Sequence, residues 1–221
     1  MEDQKSANKA IAMAWKNAWS NRKFRRITIA GSVILVGILI SFPFFFAMIE
    51  LREGTLLNDR LLLLIPPNDV SIATFTVIWS MTLLLWVRCV QDPWIFALFL
   101  FCFVILCISR MLTIVIIPLN PPIGLIPLKD PLSSIFYGGT DKFIQKYLFY
   151  SGHTSIQFLM FLTLKRKTDK ILAFFSTLAI GTLVLVQHVH YTVDVLAAFV
   201  FTYLIYRIGK KIVGDGGSYE L

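Results

Sequence analysis

The chain has 221 residues, of which 57% are hydrophobic, and its mean hydropathy is +0.72. It is too apolar for an ordinary soluble domain, so we expect an integral membrane protein. The formal net charge is +8 at pH 7. The basic residues lie mostly beside apolar segments, which is typical of membrane topology rather than of nucleic-acid binding.

The N-terminal segment, residues 1–26, is basic and is predicted to be cytoplasmic. Within it, residues 8–26 predict an interfacial amphipathic helix, because Ile11, Trp15 and Trp19 follow one another at four-residue steps among basic residues. A basic tail that ends in an aromatic anchor is the alternative.

Residues 27–209 are predicted to be a single all-α membrane domain, and residues 210–221 a cytoplasmic tail. Apolar runs of roughly 17 to 24 residues can cross a bilayer core. Because most lysines and arginines flank such runs on one side, the positive-inside rule predicts that both termini are cytoplasmic. The sequence predicts six transmembrane helices, at 27–49, 70–90, 94–117, 151–164, 171–187 and 193–209.

The segments between the spans carry signals for helix ends and loops. Pro66-Pro67-Asn68-Asp69 and Asp92-Pro93 are predicted to cap the second and third spans. Residues 118–150 are rich in proline and glycine and predict a shaped loop. Three cysteines lie in or near apolar spans and are expected to be free, packed thiols: Cys89, Cys102 and Cys107.

Two strings in the last third of the chain carry the candidate chemistry. Ser151-Gly152-His153-Thr154 opens the fourth span, where free N–H groups and the helix dipole can hold a phosphate. In His190-Tyr191-Thr192-Val193-Asp194, the four-residue spacing places His190 and Asp194 on one helix face, so that the carboxylate can orient the imidazole. Both strings fall on the predicted extracytoplasmic face, whether periplasmic, extracellular or lumenal.

This pattern predicts phosphoryl or acyl transfer at the rim of a membrane. The predicted catalytic residues are His190, the nucleophile, with Asp194 as its partner, and His153, the general acid and base. Arg110 is the best-placed cation for a phosphate, because a guanidinium can bind two oxygens at once. The predicted substrate-binding residues are Arg110, Ser151, Gly152 and Tyr191.

Structural explanations stand beside these roles. A histidine and an aspartate four residues apart are often joined by a plain structural hydrogen bond, and Arg110 can equally serve as an interfacial anchor. His188 is expected to be structural because, two residues before His190, it would point to a different helix face.

Together these strings closely resemble the sphingomyelin synthase-like branch of the type 2 phosphatidic acid phosphatase superfamily. Arg110-Met111-Leu112-Thr113, leading to Pro118, resembles that family's arginine–threonine–proline motif, and Pro66-Pro67-Asn68-Asp69 resembles its proline- and aspartate-bearing motif. The resemblance covers about residues 27–209. It implies six spans, an extracytoplasmic triad of the two histidines and the aspartate, and no metal or other cofactor. It also implies transfer of a phosphoalcohol headgroup from a phospholipid to a lipid hydroxyl, such as ceramide or diacylglycerol.

Two departures from the family pattern matter. The superfamily's lipid phosphatases carry an arginine six residues before the second histidine, where this chain has Val184, which favours a transferase over a simple phosphatase. The sphingomyelin synthases carry Cys-Gly-Asp just before Ser-Gly-His. This chain has Gln145, Lys146 and Tyr147 there, which leaves the headgroup open.

We therefore expect a metal-independent lipid phosphotransferase that works through a phospho-histidine, with a phospholipid donor and a lipid hydroxyl acceptor as partners.

A lipid phosphate phosphatase or phospholipase C-like hydrolase would use the same triad with water as acceptor. A zinc hydrolase is a further alternative, although the two-residue spacing of His188 and His190 on a helix argues against it. A lipid transporter or scramblase is the alternative from a different class, but the polar groups gather at one membrane face. The oligomeric state stays open.

Overall fold

The computed structural model describes residues 2–128, 146 and 148–214 of the chain. Within that part the regular structure is helical without strands, and one isolated bridge pairs Thr55 with Leu119. A short 3₁₀ turn, Leu62–Leu64, lies between the second and third α-helices. Numbered in chain order, the α-helices are α1 Glu2–Ser20, α2 Arg22–Glu50, α3 Ser71–Gln91, α4 Pro93–Ile116, α5 Gly152–Thr163, α6 Lys167–Val186 and α7 Thr192–Val213.

Among the described residues, five helices are long and apolar enough to cross a membrane, namely α2, α3, α4, α6 and α7. The predicted all-helical, multi-pass membrane protein is therefore confirmed in outline. The predicted fourth span, 151–164, is represented by α5, which has 12 residues and a length of about 18 Å. This is shorter than a hydrocarbon core of about 30 Å, so a sixth complete span remains a prediction. The cytoplasmic location of both termini also remains a prediction.

The predicted N-terminal helix over 8–26 is divided into two helices at Asn21. The Asn21 side chain accepts hydrogen bonds from the N–H groups of Lys23 and Phe24, at 2.9 and 3.2 Å, and so begins α2. In α1, the Trp15 ring packs edge-on against Phe24, and its indole N–H donates to the carbonyl of Val90, 2.8 Å away, at the end of α3. The helix is therefore attached to the bundle along one side.

The predicted cap of α4 is observed, whereas the N-cap residue of α3 is Val70 and Asp69 accepts hydrogen bonds from one position earlier. Asp92 accepts hydrogen bonds from the N–H groups of Trp94 and Ile95, at 2.9 and 3.3 Å, and Pro93 is the first residue of α4. Asp69 accepts from the N–H and the hydroxyl of Ser71, at 3.0 and 2.7 Å, at the start of α3. Aspartate and proline at these positions satisfy or avoid the free N–H groups of a helix start.

Helix α5 lies in the interior and packs against α4, α6 and α7. Its Leu159 and Met160 side chains are fully enclosed. At the end of the bundle away from His153, Arg88 of α3 forms a two-pronged ion pair with Asp169 of α6, with N···O distances of 2.6 and 3.1 Å. Both side chains are largely buried, so this pair fixes α3 beside α6.

At the histidine end of the bundle, residues 51–70 and 117–128 form a continuous covering that we call the loop layer. Its two segments are joined by hydrogen bonds of 2.9 Å from Thr55 N–H to Pro118 C=O and 3.0 Å from Asn120 N–H to Thr55 C=O. The layer is also hydrogen-bonded to the end of α6 and the turn after it. The N–H of Asn68 donates to the carbonyl of Val186, and the N–H of Ile126 donates to that of Gln187. The predicted loop over 118–150 is irregular where described, although much of it lies outside the described residues.

The cysteines behave as predicted. All three are buried and free, and none forms a disulfide: Cys89, Cys102 and Cys107.

Candidate active site

The two sequence strings that carry the candidate site, 151–154 and 190–194, are joined by a backbone hydrogen bond. Ser151 precedes α5 as its N-cap, and its hydroxyl accepts from the N–H of Thr154 and lies 3.0 Å from the Thr154 hydroxyl. The Ser151 N–H donates to the carbonyl of Asp194, 3.0 Å away. Because this bond joins the start of α5 to the first turn of α7, the segments that carry His153 and His190 are held side by side.

Arg110 reaches this junction from α4. Its Nε–H donates to the carbonyl of Tyr150 at 2.8 Å, and one turn later the Thr113 hydroxyl donates to the carbonyl of Phe149 at 3.0 Å. The guanidinium lies directly over Gly152, where a Cβ atom would come within 2.7 Å of Cζ and would overlap Nη1. A Cβ atom there would displace the guanidinium, so the glycine permits this approach, which brings a cation to the N-terminus of α5.

His190 and Asp194 form a buried pair, with 1% and 0% of their surfaces exposed. The Nδ1 atom of His190 lies 3.4 Å from Oδ2 of Asp194, and that oxygen also accepts from the Tyr191 N–H at 2.9 Å. The predicted pair is present, but the expected shared helix face is not. His190 lies in the turn before α7, which begins at Thr192 because Asp194 caps its first turn.

The second Asp194 oxygen, Oδ1, is buried and has no hydrogen-bond partner among the described residues. An aspartate with spare acceptor capacity beside Nδ1 favours the tautomer that carries its proton on Nδ1 and stabilises the imidazolium when the ring gains a second proton. This leaves Nε2 as the nitrogen suited to act as a nucleophile.

His153 lies in the first turn of α5 and is half-buried. Its Nδ1 is enclosed and has no hydrogen-bond partner among the described residues. His190 and Arg110 are both close enough to interact with its charge. The structure therefore brings together the four predicted groups: His153, His190, Asp194 and Arg110.

Two of the predicted substrate-binding side chains form hydrogen bonds within the protein, and their role in substrate binding stays a prediction. The Ser151 hydroxyl is fully buried and serves as the cap of α5. The Tyr191 hydroxyl donates to the carbonyl of Asn120 at 2.9 Å and accepts from the N–H of Leu57 at 3.3 Å. Tyr191 therefore attaches the start of α7 to the loop layer, and its side chain is 1% exposed.

Asp59 is a site residue that the sequence did not single out. From the loop layer, its carboxylate accepts from the N–H of Thr192 at 2.6 Å and from the Thr192 hydroxyl at 3.1 Å. Burial raises the pKa of Asp59, but these bonds and those from the N–H groups of Leu62 and Leu61 outweigh it and hold the pKa below its usual value of 3.8. A lone aspartate in a polar loop gives no sequence signal for a contact so distant along the chain.

Among the described residues, no cluster of three or more histidine, cysteine, aspartate or glutamate side chains is arranged to hold a metal ion. The departures noted at residues 145 and 147 lie outside the described residues. Lys146 is described, and its N–H donates to the Glu50 carboxylate at 3.0 Å while its ammonium donates to the carbonyl of Arg52. Val184 is fully buried in α6 and packs with apolar neighbours.

Comparison with known proteins gives one match. Residues 147–211 match the family model described as PAP2 superfamily C-terminal. No curated protein and no solved structure matches the chain significantly. The matched stretch contains α5, α6 and most of α7, and with them both histidines and the aspartate of the candidate site. Over that stretch the chain is similar to the type 2 phosphatidic acid phosphatase superfamily, whose members are generally phosphatases or phosphotransferases.

Proposed function

We propose that the protein is a membrane lipid phosphotransferase, which moves a phosphoalcohol headgroup from a glycerophospholipid to a lipid hydroxyl such as that of ceramide or diacylglycerol. The observation that carries the proposal is the bond from Ser151 N–H to Asp194 C=O. It sets the His190–Asp194 pair beside the N-terminus of α5, where Arg110 and Gly152 form a seat for an anion.

The donor phosphate would rest on the first turn of α5 and on the Arg110 guanidinium. There, free N–H groups, the helix dipole and a fixed positive charge all favour a phosphate. The closeness of Arg110 to Gly152 brings these contributions to one place.

In the first step, Nε2 of His190 attacks phosphorus and forms a P–N bond. The P–O bond to diacylglycerol breaks, and His153 donates a proton to the departing oxygen. In the second step, His153 takes the proton of the acceptor hydroxyl, whose oxygen attacks phosphorus while the P–N bond breaks. The proton taken by His153 in the second step replaces the one it gave in the first. Asp194 stabilises the charge on the His190 ring throughout.

The test is an assay of headgroup transfer. The purified protein in vesicles of mixed phospholipids and labelled ceramide should give a labelled product that carries the donor headgroup. A covalent adduct that resists alkali and is released by acid should map to His190. His190→Ala should abolish both signals, and Gly37→Ala, a change in open space on α2, should leave them intact. Undiminished transfer by His190→Ala would refute the assignment of the nucleophile.

Hydrolysis is the second candidate, because the matched family includes phosphatases as well as phosphotransferases. Water would then replace the lipid hydroxyl in the second step. The same vesicles without ceramide or diacylglycerol separate the two functions. A transferase should release little headgroup phosphate under these conditions, whereas a hydrolase should release it at the full rate.

The predicted extracytoplasmic location of the site is part of the proposal. It is supported by the basic residues at the opposite ends of these helices, with Lys165 and Arg166 just after α5 and Lys210 and Lys211 in the last turn of α7. A membrane-impermeant, histidine-reactive reagent added to intact vesicles of known orientation would test it.

A further inference from the structure

His188 bridges the two segments of the loop layer. Its Nδ1 lies 2.8 Å from the carbonyl oxygen of Ile123, and its Nε2 lies 2.8 Å from the carbonyl oxygen of Ile65. The residue is 6% exposed. The sequence-based expectation was a structural residue on a different helix face from His190, but the ring lies in the turn between α6 and α7 and contacts both loops.

The two contacts determine the charge of the ring. A carbonyl oxygen can only accept a hydrogen bond, so each ring nitrogen must donate. A neutral imidazole has one N–H and would set its bare nitrogen against a carbonyl lone pair, whereas an imidazolium donates to both. The two contacts therefore fit a ring that donates from both nitrogens.

The backbone is shaped for this bridge. His188 has φ of +54°, a left-handed conformation that is uncommon for residues other than glycine, asparagine and aspartate. Gly124, with φ of +82°, lies against the ring, and a Cβ there would be 3.4 Å from His188 Nδ1 and 3.3 Å from a Pro67 side-chain atom. The two loop segments and the ring thus converge where glycine leaves the space.

We propose that the His188 imidazolium is a proton-dependent clamp that closes the loop layer beside His190 and so positions the candidate active site. As a positioning role, this inference rests on the proposed function. The mechanical link is Tyr191, whose hydroxyl bonds both loop segments and whose N–H bonds Asp194. Loss of either carbonyl contact loosens the same layer that holds the start of α7.

The charged groups around the ring are few. In the described residues of the packed segments they are Arg52, Glu53, Asp59, Arg60 and Asp69 on the first loop segment and His190 on the same turn, whereas 117–128 carries none. The Asp69 carboxylate accepts from Ser71 and lies 3.4 Å from the amide nitrogen of Gln187. The carboxylates favour a charged ring at 188, and the two arginines and a protonated His190 oppose it.

The direction of the pH dependence follows from the number of N–H donors on the His188 ring. At low pH the ring is charged and ties both loop segments. When the pH rises and one proton leaves, one N–H···O bond is replaced by a repulsive contact, and one segment is released. The fraction of molecules in which one loop segment has lost its contact with His188 should therefore increase with pH.

Hydrogen exchange tests the clamp without requiring turnover. Amides of the two segments should lose about tenfold or more protection in the wild-type protein between pH 5.5 and 8.5, after correction for the intrinsic exchange rate, since a hydrogen bond from a charged donor is lost. His188→Asn is the matched control, because asparagine tolerates the left-handed backbone and does not titrate. Its protection should be lower at acid pH and independent of pH. Wild-type protection that does not change with pH, or a variant that follows the wild-type curve, would overturn the proposal.

A measurement on the unchanged chain covers the case in which His188→Asn fails to fold. Nitrogen NMR of histidine-labelled protein should show a ring with both nitrogens protonated that loses this state in the same pH range as loop protection. A ring at 188 that is neutral throughout would sink the clamp. The two proposals also fail separately: absence of headgroup transfer with pH-dependent protection removes the phosphotransferase, and transfer with pH-independent protection removes the clamp.

Discussion

Replacing Gly152 with alanine tests whether the close approach of the Arg110 guanidinium to residue 152 contributes to activity. The added Cβ would lie 2.7 Å from Cζ of Arg110, about 0.8 Å inside a normal carbon–carbon contact. The backbone at this point cannot yield easily, because Ser151 N–H is bonded to Asp194 C=O. The guanidinium must therefore move and lose its 2.8 Å bond to Tyr150.

A hydrogen bond from a charged donor contributes about 1.5–3 kcal/mol, so Gly152→Ala should lower kcat/KM for headgroup transfer by about tenfold to a hundredfold. The assay is steady-state transfer in vesicles, accompanied by thermal unfolding to verify that the variant is folded. Gly37→Ala, with nothing within 4 Å of the new Cβ, should keep full activity and unfold at a slightly higher temperature, because alanine favours a helix.

A double-mutant cycle identifies the cause of the loss. If the alanine acts by displacing the guanidinium, Gly152→Ala should cost little further activity in an Arg110→Ala background. Full activity of Gly152→Ala, or additive losses in the double variant, would refute the reasoning that the glycine exists to admit Arg110.

Three further substitutions give distinct results. Tyr191→Phe removes the bonds to the loop layer and should lower kcat while leaving KM nearly unchanged; a rise in KM alone would instead support the substrate-binding role predicted from sequence. Arg88→Ala leaves the buried Asp169 carboxylate without its partner and should destabilise the protein by about 3–5 kcal/mol in chemical unfolding, whereas a loss below about 1 kcal/mol would show that the pair is solvated. Asp59 has its pKa held below 3.8, so the stability it contributes is complete above that value and is lost as the pH falls through its folded-state pKa. Asp59→Asn should remove that acid-side loss from unfolding curves recorded between pH 3 and 6, and curves that superimpose on the wild type would contradict it.

The groups that the sequence predicted successfully are those whose positions follow from local rules. Asp92 and Pro93 cap α4 because a helix start needs an acceptor and tolerates a residue without N–H. Ser151 and Gly152 begin α5 for the same reason. The pairing of His190 with Asp194 was also predicted, but the four-residue rule assumed a continuous helix, and the aspartate instead caps the helix that begins between them.

The contacts that the sequence could not reveal are long-range and irregular. Asp59 meets Thr192 across 133 positions, and no periodic pattern marks either residue. The direction of the Tyr191 side chain depends on the loop layer, whose path is set by prolines and backbone hydrogen bonds. The shortness of α5, by contrast, could be predicted, because the run over 151–164 has too few residues for a hydrocarbon core of about 30 Å. The roles of the site residues in catalysis remain predictions that the assays above address.

The contributions to the site divide along the chain. The two histidines and the aspartate lie within residues 147–211, the stretch shared with the family model, whereas the Arg110 cation and the loop layer come from residues before it. Under the proposed function, the matched stretch carries the groups for proton transfer and nucleophilic attack together with the first turn of α5, and the residues before it add the Arg110 cation. Under that function, a complete phosphate site needs residues from both parts of the chain.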